Sequence, residues 1–503
     1  MSLPNPLIAG FNPDPSILRV GEDYYLVTST FEYLPGLPIY HSRNLTDWTL
    51  LNHVVTRQGQ LQLDGVFTGG SAWAPTIRFH DGVYYVVVTD AGGRGTLIFT
   101  ATNPAGQWSD GLLTDVEGID PDIAWDNEGN CYMTFSGLIL SGDHIGTHLG
   151  IQQARIDVAT GKRLEEPRSI WSGTGLMFPE APHLYQIGEW WYLMIAEGGT
   201  ERGHGISIAR SKSPEGPFEG APNNPILSAR STIRPIQNTG HGDLVQAPDG
   251  KWYVVCLGVR TRGGVRSFSS HGRETYITTV EWVDGWPVME PILVDEANSH
   301  RDFVADFSTV TAGEFPADFS GEFISIRRMP QENLEPVNGG LRLIGDGQGM
   351  FSPNPSFVGR RQCRFDARVV VDLTVEGEGG LTLRYDETFH YDIEVSAHQI
   401  LVRFAINGLN HETKFVAPAG IKQYFIQCQA VKPGFNAEGM TSDWVQLGYV
   451  ASDGTDVVLE RFDGRYLSSE VCCSFTGRVY GVYAKTGTVT VHGYSETATK
   501  VQN

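Results

Sequence analysis

The chain has 503 residues, 41% of them hydrophobic and 11% aromatic, so it is long enough for two globular domains. Its formal net charge of −21, with 37 Lys and Arg against 58 Asp and Glu, argues against nucleic-acid and anionic-membrane partners, which need a basic face. The 59 Gly and 27 Pro follow no period, which is typical of short strands joined by turns. All-β is therefore the predicted class, and neutral substrates stay open.

The cysteines and the N-terminal sequence indicate the cellular compartment that we expect for the protein. The cysteines lie mostly in strand-like apolar runs without CxxC spacing, so we expect buried free thiols rather than disulfides or a zinc site. They are Cys131, Cys256, Cys363, Cys428, Cys472 and Cys473. The start "MSLPNPLIAGFNPDPS" has no charged segment before an apolar one, and no window approaches ~18 uninterrupted apolar residues. We expect a soluble, cytoplasmic protein, although a removed signal peptide would leave the same pattern.

The first 260 residues repeat one β-hairpin pattern five times. "SILRV" followed by "GEDYYLVTS" recurs as "WAPTIRFHDGVYYVVVT", "IDPDIAWDNEGNCYMTFSG", "PEAPHLYQIGEWWYLMIAEGG" and "GHGDLVQAPDGKWYVVCLG". The second-strand tyrosines are Tyr25, Tyr85, Tyr132, Tyr192 and Tyr253. Their period of about 60 residues, with one interval near 47, gives room for four antiparallel strands. A five-bladed β-propeller is the prediction, and a sandwich, which seldom repeats at a fixed period, is the alternative.

Each copy begins with a chemically distinctive residue just before its first apolar strand. In chain order these residues are Asp14, Trp73, Asp120, Glu180 and His241. Equivalent first strands of a propeller line its central channel, so these side chains are expected to converge at one end. Turn formation explains any one of them, but a turn needs no functional side chain at the same register in five copies.

Three convergent carboxyl groups suit the hydrolysis of a glycosidic bond. One carboxylic acid protonates the leaving oxygen, and a second activates water or attacks the sugar. Neighbouring acids raise each other's pKa, which keeps a proton donor available near neutral pH. The same group of acids is a candidate for holding Ca²⁺, but they lie far apart in sequence and form no EF-hand-like loop.

Six motifs in these repeats resemble one enzyme family over essentially the whole chain. "NPDPS", "AWAP", "EAPHLY", "AEGGT", "GHG" and "GRET" stand in the order found in glycoside hydrolase family 43. The resemblance is closest to the β-xylosidases and α-L-arabinofuranosidases that carry a C-terminal β-sandwich. It implies a five-bladed propeller enzyme that inverts anomeric configuration.

The resemblance also implies the catalytic roles. Asp14 matches the general base that activates water, Glu180 the general acid, and Asp120 the residue that orients the acid and modulates its pKa. "IDPDIAWD" holds a second acid, Asp122, which strand alternation places on the same face as Asp120. The assignment of Asp120 as modulator therefore has a competitor.

Further positions match the sugar pocket of the family. Arg273 in "GRET" resembles the arginine that contacts the terminal sugar, and Phe31 and Trp73 resemble the apolar walls. His241 resembles the histidine near the channel axis, which in many members lies beside a calcium ion or a water. No cofactor is required, and Ca²⁺ near the axis is the one metal that the resemblance suggests.

From about residue 305 the hairpin repeat ends and a second pattern begins. "CRFDARVVVDLTV", "GGLTLRYDET", "YDIEVSAHQILVRFAI" and later segments alternate or run apolar at strand length, with Gly and Asp turns between them. We predict a catalytic propeller over residues 1–304 and an antiparallel β-sandwich over 305–503. Related enzymes close the sugar pocket with a loop of the second domain, which suggests Phe475 in "CCSFTG" for this role.

The leading functional hypothesis is an exo-acting, inverting glycosidase. It would release xylose from xylo-oligosaccharides or arabinofuranose from side chains, and the acids alone do not separate these sugars. The alternatives are a related five-bladed glycosidase with another sugar specificity and a non-catalytic carbohydrate-binding propeller. The expected partner is a small oligosaccharide, without nucleic acid or membrane, and a homo-oligomer stays open.

Overall fold

The computed structural model describes residues 3–499, except 265–266, 295–301, 317–318, 320, 433, 435 and 437. Five antiparallel sheets follow one another from residue 16 to residue 289, and a larger antiparallel β-domain follows them. The predicted all-β class, with a five-bladed propeller and a C-terminal sandwich, is confirmed. Each predicted tyrosine lies in the second long strand of its blade.

The blades contain the following strands. Blade one has β1 (Ser16–Val20), β2 (Asp23–Val27), β4 (Gly36–Ser42) and β5 (Thr49–Val55), and the short β3 (Tyr33–Leu34) in the connection from β2 to β4 lies outside this sheet. Blade two has β6 (Ser71–Ala72), β7 (Thr76–His80), β8 (Val83–Ala91), β9 (Gly95–Ala101) and β10 (Leu112–Leu113). Blade three has β11 (Ile119–Trp125), β12 (Cys131–Leu138), β13 (His148–Asp157), β14 (Lys162–Arg163) and β15 (Arg168–Trp171). Blade four has β16 (Glu180–Ile187), β17 (Trp190–Glu197), β18 (Gly205–Ser211), β19 (Glu219–Gly220) and β20 (Leu227–Ser228). Blade five has β21 (Ile236–Gln246), β22 (Trp252–Arg260), β23 (Glu274–Val283) and β24 (Trp286–Met289).

Aromatic side chains hold neighbouring blades together. The rings of Tyr25 and Tyr84 meet edge to face, with centroids 5.4 Å apart, between blades one and two. Tyr192 and Trp282 make the same contact at 5.0 Å between blades four and five. Such pairs contribute about 0.5–1.5 kcal/mol each beyond the burial of their area. The aromatic start of each second strand, which revealed the repeat, is therefore the packing surface between blades.

The N-terminal segment closes the ring of blades. The backbone N–H of Leu7 donates to the carbonyl of Thr275 in β23 at 2.7 Å, and the N–H of Asn12 donates to the carbonyl of Arg273 at 3.1 Å. Blade five is thus tied to the segment that leads into blade one. Asp14 and Arg273 lie on these adjoining segments, which brings them together although they are far apart in sequence.

The second domain is built around two long strands that pair with each other along most of their length. Its helices are α1 (Pro330–Asn333) and α2 (Ser469–Cys472), and its strands are β25 (Phe303–Asp306), β26 (Ser325–Ile326), β27 (Leu334–Val337), β28 (Gly340–Ile344), β29 (Ser356–Arg361), β30 (Ala367–Arg384), β31 (Phe389–Val395), β32 (Gln399–Ile406), β33 (Leu409–Val416), β34 (Gln423–Ala430), β35 (Asp443–Val450), β36 (Asp456–Asp463) and β37 (Val479–Ala498). Strands β30 and β37 pair with each other from Ala367 to Arg384. β30 also pairs with β31 and β34, and β37 also pairs with β28 and β29. β25, which spans the predicted boundary at residue 304, pairs with β37.

Several contacts fix the second domain against the propeller, and two of them bear on the site. β26 pairs with β3 of blade one. The helix α2 also reaches blade five: the carboxylate of Glu470 accepts from the backbone N–H and the hydroxyl of Ser269 at 2.8 Å each. This second contact carries the segment around Phe475 to the end of the propeller channel.

All six cysteines are free, as predicted, but they are not all buried. Cys131, Cys256 and Cys428 are buried in strands, whereas Cys363 and Cys472 are half-buried and Cys473 is exposed. Cys473 departs from the prediction because it ends α2 in a left-handed turn, with φ 52°, rather than continuing a strand. In the described part of the chain, every helix is too short or too polar to cross a membrane.

Candidate active site

A cavity of about 290 Å³ opens at the end of the channel where the first strands begin. All eight predicted site residues line it: Asp14, Phe31, Trp73, Asp120, Glu180, His241, Arg273 and Phe475. They come from all five blades and from the second domain. The remaining lining residues, which the sequence did not reveal, are Ala74, Ile119, Leu138, Phe178, Gly199, Thr200 and Glu201.

Irregular backbone aims the polar side chains into this cavity. Asp14, Asp120 and His241 have φ values of 56°, 53° and 49°, in the left-handed region that such residues seldom occupy. The pairing of the first and second strands shifts register at Asp120, at Glu180 and around His241. Proline follows at or near four of the five blade starts, and proline cannot donate to a strand ladder. Asp-Pro, Ala-Pro and His-Gly at the blade starts therefore mark bulges that turn one side chain inward.

Asp14 is held as a carboxylate. Its Oδ1 accepts from Nη1 of Arg273 at 2.9 Å, and its Oδ2 accepts from the hydroxyl of Ser29 at 2.6 Å. Burial alone would raise the pKa of Asp14, but the charge of Arg273 and the hydrogen bond from Ser29 lower it below the usual 3.8. Asp14 is therefore ionised at neutral pH and able to accept a proton.

Asp120 and Glu180 have the opposite electrostatic character. Oδ2 of Asp120 accepts from the backbone N–H of Ala181, the residue after Glu180, at 3.1 Å. Burial, and then the charge of Asp14, raises the pKa of Asp120. Burial, Asp120 and Asp14 raise the pKa of Glu180 well above its usual range. Glu180 thus retains a proton at a pH where Asp14 has lost its own. Asp120 anchors the strand that carries Glu180 through the N–H of Ala181, and it helps to raise the pKa of Glu180.

Three aromatic rings form one wall. The ring of Phe475 stacks on that of Phe31 with centroids 6.1 Å apart, and it meets the indole of Trp73 edge to face at 5.9 Å. Nε1 of Trp73 donates to the carbonyl of Gly69 at 2.8 Å, which fixes the indole. A ring wall of this kind suits the apolar face of a sugar.

Arg273 joins the two domains at the cavity. Besides Asp14, its Nη1 donates to the hydroxyl of Thr200 at 3.0 Å, and its Nη2 lies 3.4 Å from the carbonyl oxygen of Phe475. The guanidinium group lies over the ring of Phe475 at 5.3 Å. Thr200 belongs to the "AEGGT" motif, and the family resemblance implied no role for this side chain.

The neighbourhood of His241 does not fit a calcium ion. Ca²⁺ takes six to eight oxygen ligands. His241 offers a ring nitrogen rather than an oxygen. Oδ1 of Asp14 lies 3.5 Å from Nδ1 of His241, and this oxygen already binds Arg273. Burial lowers the pKa of His241 to about 3, so the ring is neutral. Among the described residues, no three His, Cys, Asp or Glu side chains come together as a metal site.

Asp122 lies on the channel side of its strand but does not line the cavity. Its Oδ1 lies 3.0 Å from Nε of Arg78, and its Oδ2 accepts from the backbone N–H of Leu184 at 2.8 Å. Its side chain is fully buried in these contacts. Alternation places it one layer deeper than Asp120, so it does not compete as the residue that faces the cavity beside Glu180.

Part of the cavity lining, including its exposed rim, was not predicted. Phe178 is 44% exposed and has a φ of 52°, unusual for an aromatic residue. Leu138, Thr200 and Glu201 also line the cavity. These residues lie at or beyond strand ends, outside the repeated pattern, so the periodicity carried no signal for them.

Comparison with known proteins agrees with this geometry. The family model for Glycosyl hydrolases family 43 matches residues 3–287, and the model for the Beta xylosidase C-terminal Concanavalin A-like domain matches residues 315–495. A non-reducing end alpha-L-arabinofuranosidase of Bacteroides ovatus is 38% identical over 95% of this chain and 90% of its own length. A beta-xylosidase of Bacillus subtilis is 33% identical over 75% of each chain.

Solved structures resemble the whole chain. The xylan beta-1,4-xylosidase of Bacillus halodurans has a TM-score of 0.86 at 26% identity and covers 99% of this chain and 100% of its own. The Bacteroides ovatus protein described as xyloglucan PUL GH43B has a TM-score of 0.84 at 33% identity, with the same coverage. Propeller and second domain therefore occur together, in this arrangement, in related proteins.

Proposed function

This chain is a glycoside hydrolase of family 43, and we propose that it removes single terminal pentoses from xylo-oligosaccharides with inversion of configuration. The observation that carries the proposal is one cavity lined both by Asp14, whose carboxylate accepts from Arg273 and Ser29, and by Glu180, whose pKa is raised by burial and by the neighbouring carboxyl groups. A carbohydrate-binding propeller without catalysis, the third hypothesis from the sequence, gains nothing from this difference in pKa.

The chemistry follows from the two environments. Asp14, with its pKa lowered, takes a proton from a water that attacks the anomeric carbon. Glu180, with its pKa raised, gives a proton to the glycosidic oxygen as the bond breaks. Asp120 keeps that proton on Glu180 through its charge and holds the strand through Ala181. Because water attacks opposite the leaving group, the released sugar has inverted configuration.

The shape of the cavity supports exo action. Its deep end is closed by nearly buried side chains, with Phe31 2%, Asp14 5% and His241 6% exposed. Its volume of about 290 Å³ is at the lower limit of ligand pockets, roughly 300–1,000 Å³. A single terminal sugar fits such a closed end, whereas a chain running through would need two openings.

The position of the acid assigns the leaving group to the exposed rim. Glu180 protonates the oxygen that joins the terminal sugar to the rest of the chain, so the next sugar lies on the far side of Glu180 from Asp14. Phe178 and Glu201 are exposed residues of the cavity lining and Leu138 is half-buried, so we assign these three to that side. An unbranched neutral sugar can stack on Phe178 and donate hydroxyl hydrogen bonds to Glu201.

Proton NMR of the first products from xylotetraose tests the mechanism and the pocket together. We expect α-xylose first, stepwise shortening, and no early burst of xylobiose. First-formed β-xylose would overturn Asp14 as a base acting through water. Early xylobiose would overturn the closed pocket while leaving the acids in place.

A second candidate is α-L-arabinofuranosidase as the main activity. It is favoured by the match to the Bacteroides ovatus arabinofuranosidase, which covers 95% of this chain. The acids serve either sugar, since the two substrates differ in ring form rather than in the protons transferred. Turnover on matched aryl β-D-xyloside and aryl α-L-arabinofuranoside decides between them, and a higher kcat/KM on the arabinofuranoside would make the second candidate the main activity.

A further inference from the structure

A charged network lies directly beneath the proposed catalytic cavity and has Arg78 at its centre. Nε of Arg78 lies 3.0 Å from Oδ1 of Asp122, and Nη1 lies 2.9 Å from Oδ2 of Asp243. Nη2 lies 2.9 Å from Nδ1 of His183, and Nη1 donates to the hydroxyl of Ser16 at 3.3 Å. These five residues stand on β1, β7, β11, β16 and β21, so each blade contributes one.

The network brings a cation between two buried carboxylates. The side chains of Asp122 and Asp243 are fully buried, and that of Arg78 is 14% exposed. Two buried carboxylates that face one channel repel each other and need a cation between them. Asp243 is further held by the hydroxyls of Tyr185 at 2.5 Å and Ser16 at 2.6 Å. The guanidinium group of Arg78, which lies within 3.0 Å of an oxygen of each carboxylate, is that cation.

The remaining nitrogen and oxygen atoms of the network offer few free ligands to a metal ion. An arginine nitrogen only donates, so Nδ1 of His183 accepts from Arg78 and its hydrogen is on Nε2. That Nε2, which is buried without a hydrogen-bond partner among the described residues, therefore has no lone pair for a metal and suits a water. Oxygens of both carboxylates are already within 3.0 Å of guanidinium nitrogens.

We infer that Arg78 is a built-in cation that takes the place of a divalent metal ion in the propeller channel and positions the catalytic layer above it. Ser16, Asp122 and Asp243 each follow a cavity residue by two positions, namely Asp14, Asp120 and His241. By binding all three strands one layer down, Arg78 fixes the spacing of the groups that stand above. This inference rests on the proposed roles of those groups, and it makes catalysis independent of metal.

Arg78→Ala, assayed with guanidinium chloride at millimolar concentration or with Ca²⁺, tests the inference. We expect the wild type to keep its kcat after EDTA treatment and to ignore added Ca²⁺. We expect Arg78→Ala to lose about 10- to 100-fold in kcat, because the catalytic groups lose their spacing. Guanidinium or Ca²⁺ should restore part of that kcat and raise the Tm of the variant. A wild type that EDTA inactivates and Ca²⁺ restores would overturn the inference.

Two further variants separate positioning from general damage. Arg94→Ala is the matched control: Arg94 is in the same blade but donates to the carbonyls of Gln60 and Gly111, away from the channel. We expect no cation response from it. Arg78→Lys keeps the charge and should retain more kcat than Arg78→Ala, or a measurable kcat if Arg78→Ala does not fold. A kcat that neither cation nor lysine restores would reduce Arg78 to a structural residue. Absence of pentose release by the wild type would instead refute the proposed function, and the Tm response to Ca²⁺ would still test Arg78.

Discussion

Replacing Arg273 with Met should move the acid limb of the pH profile to higher pH. Nη1 of Arg273 lies 2.9 Å from Oδ1 of Asp14, and the two side chains are 10% and 6% exposed, so solvent screens the pair little. Unit charges about 4 Å apart interact by about 4 kcal/mol at an effective dielectric constant of 20. At 1.36 kcal/mol per pKa unit this is about three units, and measured effects of a neighbouring arginine are about one to three.

The sign follows from which form the arginine stabilises. Arg273 favours the carboxylate of Asp14, so without it burial dominates and the pKa of Asp14 rises. The base is then protonated at a pH where the wild-type base is free, and kcat/KM falls first on the acid side. The basic limb, which reports loss of the proton from Glu180, should move much less.

The acid limb is measured as kcat/KM against pH on an activated aryl glycoside, because such a leaving group needs little help from Glu180, and the basic limb is measured on xylobiose, which needs the proton of Glu180. Arg202→Met serves as control. Arg202 is an exposed neighbour of Glu201 at the rim and donates to the carbonyl of Ser267, so its loss removes one positive charge without touching Asp14. An acid limb that stays in place in Arg273→Met would refute the electrostatic account of Asp14.

Three further substitutions test the remaining roles. Asp14→Asn, nearly isosteric, should leave the protein folded and lower kcat on xylobiose by about 10²–10⁴-fold, since an amide cannot take a proton from water; near-normal turnover would exclude Asp14 as base. Glu180→Ala should impair xylobiose far more than an activated aryl xyloside, whereas an equal loss on both would indicate a structural role. Phe178→Ala should lower kcat/KM about tenfold on xylobiose but little on xylosyl fluoride, which has no leaving-group sugar to stack. Met177→Ala, its exposed neighbour outside the cavity, should change neither, and equal losses from both variants would contradict the rim assignment.

The repeated part of the site was predictable because each blade solves the same problem. A proline or glycine after the first inward residue breaks the strand ladder, and an aromatic second strand packs against the next blade. Asp14, Asp120 and His241 are therefore recognisable as equivalent positions in the repeat, together with the period that closes five blades.

The rim of the site was not predictable from the repeat. Phe178, Thr200 and Glu201 stand in connections whose lengths differ between blades, so no equivalent position marks them. Phe475 was accessible through the family resemblance alone, because nothing in the alternation of the second domain indicates a loop that leaves its own sheet. Arg78 was hidden for another reason: in "TIRFHD" it reads as an ordinary charged strand residue, and its partners lie in four other blades.

The charges in the lower layer of the channel act on the pKa values of the catalytic layer above it. The cavity needs an ionised Asp14 close to Asp120 and Glu180, an arrangement in which every added negative charge raises the pKa of the base as well as that of the acid. Two more carboxylates, Asp122 and Asp243, lie beneath on the strands that carry Asp120 and His241, and their field would act on the cavity if it were not compensated. Arg78 compensates it from below, and Arg273 acts from the side, most strongly on Asp14, to which it is hydrogen-bonded. The difference between base and acid therefore depends on two arginines in different positions: one keeps the channel from becoming uniformly negative, and the other lowers the pKa of Asp14 below those of Asp120 and Glu180.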